Sequence, residues 1–173
     1  MEPMEITAGR LHLRPWCPAD AEVVAEALRD PEIRRWAPRT PKEPDEKTWI
    51  ADRIAGWADG SSASFAITDA TTGKVLGHIR LRTPGDGVGE VGYWILAGAR
   101  GRGVAGHAVG AVARWAFACL DLSRLDLRHV AENPASCRVA QKGGFALARL
   151  LTEPSWDGGD ETVEVHLHTL PHG

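Results

Sequence analysis

A short glycine- and arginine-rich stretch near the middle of the chain, Arg100 to Ala105, constrains the fold more than any other part of the sequence. It follows a predicted strand, Glu90 to Leu96, and opens a predicted helix that continues to about Leu120. Gly101 and Gly103 permit positive φ, and the first N–H groups of a helix have no acceptor within it. A phosphate there would meet free donors and the positive end of the helix dipole. The stretch therefore predicts an anion-binding turn.

The same glycines also fit the G-x-G-x-x-G pattern that is typical of dinucleotide-binding folds. That pattern normally lies in the first βαβ unit, and an acidic residue follows it by about 20 residues at the end of the next strand. Here the pattern begins only at residue 101, and the acidic residue at the expected distance, Asp126, opens a strand. No G-K-[ST] follows, which excludes a nucleotide triphosphate P-loop. A dinucleotide oxidoreductase stays a distant alternative.

Two spaced motifs resemble the GNAT superfamily of N-acetyltransferases. Residues 100–105 match its R/Q-x-x-G-x-G/A signature, and Gly92-Tyr93-Trp94 is similar to the RimJ/RimL subgroup. Downstream, residues 133–145 match the subgroup pattern N-x-x-S-x-R-V-x-x-K-x-G-F. The opening segment, residues 11–20, is also similar, so the resemblance extends over nearly the whole chain.

The chain departs from the subgroup at two places. Leu96-Ala97 stands where an Asp-Pro pair is usual, and His107 stands where a glutamate is frequent. Neither departure belongs to the phosphate turn itself. They leave open whether this chain shares the acceptor of the subgroup, the protein N-terminus.

The resemblance implies a single N-acetyltransferase domain over residues 1–173. Its α/β GNAT fold would have a mixed central sheet of about seven strands with flanking helices, splayed between the fourth and fifth strands. Hydrophobic periodicity predicts the strands Leu11–Arg14, Ser64–Thr68, Val75–Arg82, Glu90–Leu96, Leu125–Val130, Phe145–Leu151 and Thr162–Thr169. The predicted helices are Pro18–Arg29, Asp45–Asp59, Val104–Leu120 and Ala135–Lys142. Prolines between residues 31 and 44 predict an irregular passage between the first two helices.

Composition narrows the range of partners. The net charge of the 173 residues is −3 and the isoelectric point is near 6.2, which gives no basic face of the kind that nucleic-acid binders show. Three cysteines without C-x-x-C spacing and a polar N-terminus favour a reducing compartment and no secretory leader. No apolar run has the length of a membrane span. We therefore expect a cytoplasmic protein without nucleic-acid or membrane partners, for which a homodimer is compatible with the resemblance.

Acetyl-CoA is the cofactor that the resemblance implies, as acyl donor. The turn would hold its phosphates, while backbone groups of Trp94 and Ile95 and the side chain of Asn133 would contact the pantetheine arm. The residues expected to bind the cofactor are Trp94, Ile95, Arg100, Gly101, Arg102, Gly103, Val104, Ala105, Asn133 and Lys142.

No metal site and no cysteine nucleophile are predicted. The seven histidines show no H-x-x-x-H spacing, and His166 and His168, which alternate on one strand, are expected to be structural or solvated. Cys119 ends an apolar helix, and Cys137 has no adjacent base in the sequence.

Direct acetyl transfer to a primary amine is the reaction that the resemblance implies. Glu90, beside the turn, is the first candidate for the general base, and Glu153 is the weaker alternative. Ser136 matches the serine of the downstream motif and is the candidate proton donor to the departing sulfur. The plain structural alternatives are a solvated carboxylate for Glu90 and an N-terminal helix residue for Ser136.

The acceptor is the least constrained part of the prediction. Trp36 and Trp156, both in predicted loops, are candidates for the walls of an acceptor pocket. The amine would belong to a protein N-terminus, or alternatively to a small metabolite or antibiotic. From another class, the chain could be a CoA-binding module without transfer activity.

Overall fold

One mixed sheet with helices packed on both faces organises the chain. The computed structural model describes residues 1–36, 45–155 and 160–173. Its strands are β1 Ile6–Ala8, β2 Leu11–Pro15, β3 Ser62–Asp69, β4 Val75–Gly85, β5 Val88–Ile95, β6 Arg124–Val130, β7 Ala146–Pro154 and β8 Thr162–Pro171. Its α-helices are α1 Ala21–Arg29, α2 Pro31–Trp36, α3 Glu46–Asp59, α4 Val104–Cys119 and α5 Pro134–Lys142. The strand order is β1-β2-β3-β4-β5-β6-β8-β7.

The predicted mixed sheet is confirmed, with one strand and one helix more than the sequence indicated. β1 has only three residues, too few for an alternating pattern to be visible. α2 begins at Pro31, inside the passage that its prolines predict to be irregular. Proline is well tolerated at the first helical position, where its missing N–H needs no partner. The Asp30 side chain accepts hydrogen bonds from the backbone N–H groups of Glu32 and Ile33, at 2.8 and 3.2 Å.

The helix ends follow from local side-chain chemistry. Asp45 caps α3 by accepting from the backbone N–H groups of Lys47 and Thr48, and Gly60 ends that helix in the left-handed conformation with φ of 76°. Asn133 caps α5 through a hydrogen bond from the Ser136 N–H. Among the described residues, none of the helices has both the length and the apolar character that a membrane crossing requires.

Two apolar clusters fix the helices on opposite faces of the sheet. The larger one joins α4 to the inward side chains of the central strands, including Phe65, Ile79, Leu81, Val91 and Leu127. The smaller one joins α1, α2 and the first half of α3 to the other face through Trp16, Ala66 and Trp94, while Trp57 near the end of α3 belongs to the larger cluster. Because neighbouring residues of a strand point to opposite faces, Tyr93 lies on the α4 side and Trp94 on the α1 side.

β5 and β6 pair in parallel over only four residue pairs, from Val88 with Arg124 to Val91 with Leu127. Beyond this point neither strand pairs with the other, so residues 92–95 and 128–130 diverge. The opening between these strand ends is called the splay gap below. It confirms the separation expected between the fourth and fifth predicted strands.

A glycine of β4, one strand away from the splay gap, makes a close backbone contact that can be tested. A Cβ on Gly77 would lie 2.4 Å from the Trp94 carbonyl oxygen and 2.9 Å from Ile95 Cδ1. Gly77→Ala is therefore expected to lower the free energy of unfolding by about 1–3 kcal/mol. The control is Gly92→Ala on the neighbouring strand, where a Cβ meets nothing within 4 Å. Thermal denaturation should show a clear loss for the first variant only, and equal melting temperatures would contradict this packing.

Candidate functional site

The turn before α4 has the geometry of an anion cradle. Gly101 and Gly103 have φ of 74° and 77°, values that side-chain-bearing residues rarely adopt. Gly103 is the N-cap of α4, and no side chain of the described residues caps this helix end. Val104 is 4% exposed and anchors the first turn in the core, while Ala105 is half-buried. The helix N-terminus is thus rigidly placed with its N–H groups available to an anion.

The two arginines of the turn are placed differently. Arg100 donates to Asp30 Oδ2 at 2.6 Å through Nη2 and to the Ile95 carbonyl at 3.0 Å through Nε. Burial acts to raise the pKa of Asp30, but the hydrogen bond from Arg100 holds that pKa below its usual value. The Arg102 side chain is exposed, and its carbonyl accepts from Arg10. Arg100 therefore braces the turn against α1 and α2, while the Arg102 side chain is exposed and its charge acts on Asp69.

Backbone groups of β5 line the splay gap in alternation. The Leu96 N–H donates to the Leu76 carbonyl at 2.9 Å, so Leu96 faces β4. Since hydrogen-bonded pairs alternate along antiparallel strands, the N–H and C=O of Trp94 also face β4, and those of Tyr93 and Ile95 face the gap. The Ile95 carbonyl accepts a hydrogen bond from Arg100, so the Ile95 N–H is the group of this residue that can bind a ligand in the gap. Of the two backbone positions predicted for the pantetheine arm, Ile95 is the one whose groups point into the gap.

A hydrogen bond between Tyr93 and Ser136 spans the splay gap. The Tyr93 hydroxyl donates to Ser136 Oγ at 3.0 Å, which joins the diverging end of β5 to the first turn of α5. Burial raises the pKa of Tyr93 to about 12, so its hydroxyl stays neutral and remains a donor at neutral pH. Because Ser136 Oγ accepts this bond, its own O–H can donate to another group.

The cap of α5 separates the roles of Asn133 and Ser136. Asn133 Oδ1 accepts from the Ser136 N–H at 3.1 Å, so the asparagine satisfies the helix end and the serine hydroxyl does not. Asn133 is 9% exposed, and only its amide NH₂ is left for a contact with a cofactor. Lys142 is exposed in the last turn of α5, at the opposite end of that helix.

The two candidate carboxylates lie on the same face of the sheet. Glu90 precedes the splay gap by two residues, pairs in register with Asp126, and has Oε1 3.8 Å from Arg82 Nη1. Glu153 forms an ion pair with Arg128. Directly paired residues share a face, and the β5, β6, β8 and β7 registers place all of these side chains opposite α4 and α5. The Glu90 side chain is 31% exposed and that of Glu153 is 19% exposed, so Glu90 is the more accessible.

An aromatic cluster occupies the same face as Glu90. The rings of Trp16, Trp49, His78 and Trp94 lie with centroids 5.0–6.1 Å apart. Burial, and then the positive charges of Arg53 and Arg80, hold the pKa of His78 well below its usual value. The His78 ring is therefore neutral, and its Nδ1 accepts from Trp16 Nε1 at 3.0 Å.

The two tryptophans predicted to line the acceptor pocket have different outcomes. Trp36 lies at the end of α2, and the prediction of a loop there was wrong because Pro31 starts a helix. Its ring is half-buried, donates to Glu32 at 3.0 Å and carries the Arg35 guanidinium 4.3 Å above it. Trp156 lies outside the described residues. Whether either tryptophan contacts an acceptor stays a prediction.

Two residues of the site were not singled out from the sequence. Tyr93 was visible in the Gly-Tyr-Trp motif, but a tyrosine on a strand gives no sign of which side chain it will meet. Asp30 lies 70 residues before Arg100, so only the fold brings the two together.

Comparison with known proteins places these features in a family. A sequence profile described as "Acetyltransferase (GNAT) domain" matches residues 10–146. The chain belongs to the GNAT acetyltransferase family. No curated protein sequence matches the chain closely enough to identify a relative. The GNAT assignment therefore rests on the profile, which covers most of the chain, and on the fold.

Solved GNAT structures share the fold at low sequence identity. An acetyltransferase of the family from Bacillus anthracis has a TM-score of 0.86 at 21% identity, covering 97% of this chain and 98% of its own. RimL, a ribosomal L7/L12 α-N-protein acetyltransferase solved with coenzyme A, has a TM-score of 0.86 at 15% identity, covering 97% of this chain and 98% of its own. Spermidine N-acetyltransferase from Vibrio cholerae, solved with CoA and spermine, has a TM-score of 0.82 at 17% identity, covering 94% of this chain and 95% of its own.

Membership of the GNAT family makes this chain an acetyl-CoA-dependent N-acetyltransferase. The residues present fit that cofactor: the α4 N-terminus offers donors without a side-chain cap, and the splay gap exposes the Ile95 N–H. No metal is needed for this chemistry. The predicted dinucleotide alternative is overturned by the family match, because residues 10–146 fit an acetyltransferase domain.

Arg100→Ala is expected to weaken acetyl-CoA binding by roughly 3- to 10-fold, because a partly exposed ion pair contributes about 1 kcal/mol. Isothermal titration with acetyl-CoA measures the change. Asp30→Asn is the matched control, since it removes the ion pair and keeps the guanidinium. If Arg100 acts by bracing the turn, both variants bind more weakly. If Asp30→Asn binds as well as the wild type while Arg100→Ala does not, the guanidinium contacts the cofactor directly and the bracing role is wrong.

Proposed function

We propose that this enzyme is of the RimJ/RimL type and transfers acetyl to a primary amine, with the α-amino group of a protein N-terminus as first candidate. The observation that carries the proposal is the Tyr93–Ser136 hydrogen bond, which lies across the splay gap. The motif from Asn133 to Phe145 supports the subgroup, as does the fold shared with RimL. The low identity to RimL means that the acceptor needs an independent test.

The proposed chemistry assigns one proton transfer to each side of the sheet. Acetyl-CoA supplies a thioester, in which a C–N bond to the amine forms as the C–S bond breaks. Ser136 Oγ–H would give its proton to the departing sulfur and recover one from the Tyr93 hydroxyl along their hydrogen bond, and Tyr93 would regain a proton from solvent. A carboxylate on the opposite face takes the proton that the amine nitrogen loses. Acid and base therefore act from different elements, α5 and β5.

Glu90 is the carboxylate that we assign as the base. It lies next to the point where β5 and β6 separate, so a water or an amine in the gap is within reach of its side chain. Arg82 lies 3.8 Å away, at the edge of ion-pair distance, and leaves carboxylate oxygen accessible. Glu153 is the alternative base, although its ion pair with Arg128 and its place on β7, beyond β6 and β8, remove it from the gap.

An α-amino group suits a modest base. Its reference pKa is about 7.7–8.0, compared with about 10.4 for a lysine, so a large share is neutral at physiological pH. Main-chain donors within the gap, of which the Ile95 N–H is one, would stabilise the oxyanion that forms as the amine adds. One such donor typically contributes about 3–4 kcal/mol in the transition state.

A small amine is the second candidate acceptor. The specific observation is that a spermidine acetyltransferase shares this fold with a TM-score of 0.82, nearly that of RimL. The fold alone therefore does not separate a peptide acceptor from a polyamine. The departures from the subgroup at Leu96-Ala97 and His107 likewise leave both kinds of acceptor open.

The experiment is acetyl-CoA-dependent thiol release with a panel of acceptors. Peptides with free Ser, Ala or Met N-termini are compared with polyamines, aminoglycosides and amino acids, and N-terminally blocked peptides are the control. Turnover with the free peptides alone supports the first proposal. Turnover with small amines alone supports the second, and the absence of turnover with every amine would contradict both.

A further inference from the structure

The fold brings together three histidines and a cysteine that lie on three separate elements. His129 of β6, Cys137 of α5, and His166 and His168 of β8 each offer one ligand atom, and these four atoms lie within 4.8 Å of one another. His129 and His168 are buried, while Cys137 and His166 are half-buried. We call this group the His₃Cys cluster. It lies between α5 and the sheet, on the face opposite Glu90.

We propose that the His₃Cys cluster is a binding site for a divalent zinc ion. Three imidazole nitrogens and one thiolate form a four-ligand set of the kind that Zn²⁺ binds tetrahedrally. Ligands about 2.0–2.3 Å from a tetrahedral centre lie roughly 3.3–3.8 Å apart. His129 Nε2 and His168 Nε2 are already 3.2 Å apart, and the others reach this spacing by small side-chain rotations.

The protonation of His129 prepares it as a ligand. Its Nδ1 lies 2.8 Å from the Val130 carbonyl oxygen, which can only accept a hydrogen bond, so Nδ1 carries the proton. The neutral ring then has a bare lone pair on Nε2, the atom that faces His168. A ligating histidine that donates its other N–H to a backbone carbonyl is the usual arrangement at protein metal sites.

His166 of β8 has a nitrogen that the protein leaves unused. Within the described residues, His166 Nδ1 is buried and has no hydrogen-bond partner. His166 Nε2 lies 3.7 Å from Glu164 Oε1, which resembles the carboxylate that often orients a ligating histidine from outside. A buried polar atom without a partner is unfavourable, and a metal ion bound through His166 Nδ1 would satisfy that atom.

The sequence predicted no metal site, and this proposal departs from that prediction because the four residues come from three separate elements. Zinc would take no part in acetyl transfer. It would join the first turn of α5, which carries Ser136 next to Cys137, to β6 and β8. Binding would convert the Cys137 thiol to a thiolate and release its proton to solvent.

The test uses the full chain after treatment with a chelator and its removal. Titration with Zn²⁺ is expected to show one ion per chain and a higher melting temperature. Titration with Co²⁺ is expected to give a thiolate-to-metal charge-transfer band. Cys137→Ser should abolish that band and weaken Zn²⁺ binding by at least about 100-fold, more than the loss of an outer partner. His166→Gln should weaken binding similarly and keep the band.

Two matched controls keep the test decisive. Cys119→Ser changes an exposed free cysteine, and His107→Gln changes an exposed histidine; both should bind metal as the wild type does. Cys137 and His166 are only half-buried, so their variants are expected to melt like the metal-free wild type. If the wild type takes up no Zn²⁺, if Cys137→Ser keeps the band, or if Cys119→Ser loses it, the proposal is wrong.

Discussion

Glu90→Gln is expected to lower kcat for an N-terminal peptide by about 10²-fold near neutral pH, within the usual range for a general base. The amide keeps the size of the side chain but cannot take the proton that the amine nitrogen loses. Acetyl-CoA binding should change little, because Glu90 lies on the face opposite α4 and α5. Steady-state thiol release and acetyl-CoA titration measure the two quantities separately.

The loss of turnover in Glu90→Gln is expected to become smaller as the pH rises. As pH rises through the α-amino pKa of about 7.7–8.0, a growing share of the acceptor is neutral without help, so the deficit of Glu90→Gln should shrink. Asp126→Asn is the matched control, because Asp126 pairs in register with Glu90 and is held by Arg124. Glu153→Gln should keep nearly full turnover. If Glu153→Gln is the slow variant and Glu90→Gln is not, the roles of the two carboxylates are reversed.

Ser136→Ala is expected to lower kcat by about 10²-fold and to leave acetyl-CoA binding nearly unchanged, because the departing sulfur loses its proton donor. The melting temperature should fall only by the loss of the hydrogen bond from Tyr93, since Asn133 and not Ser136 caps α5. Single-turnover kinetics would locate the deficit in the chemical step. An unchanged kcat would show that the serine is only a helix residue.

Tyr93→Phe extends the same test. It removes the hydroxyl that donates to Ser136, and a smaller loss of about 10-fold is expected. Because the pKa of Tyr93 is raised to about 12, this loss should be constant through neutral pH. The double variant should be no slower than Ser136→Ala alone, since the two hydroxyls act as one unit. Additive losses would mean that Tyr93 contacts a reacting group independently.

Most of the fold could be predicted because its signals are local. α4 was predicted as Val104–Leu120 and is observed as Val104–Cys119, since its turn glycines and apolar residues identify it without tertiary context. α2 was missed, because the sequence before a proline does not show whether Asp30 will cap a new helix or end an old one. β1 was missed because three residues paired only with β2 carry little periodicity.

The site was predictable only where a motif marks it. The glycines of the turn and Ser136 were found because their spacing is fixed along the chain. Contacts between distant elements could not be predicted, since the contact between Arg100 and Asp30 depends on how α1 and β5 are brought together. The His₃Cys cluster is the clearest case, because only His166 and His168 share an element and the fold brings the other two members to them.

Within the described residues, the four residue pairs between β5 and β6 are the strand pairing that joins the two halves of the sheet. They hold a meander of five strands against a second group of three, so the free chain has a weak seam along its length. A cofactor arm bound in that seam would act as a missing strand, and at 100 times its Kd it would add about 2.7 kcal/mol to folding. Acetyl-CoA is therefore expected to slow the proteolysis of the purified protein, because it lowers the share of molecules in which the two strand groups have come apart.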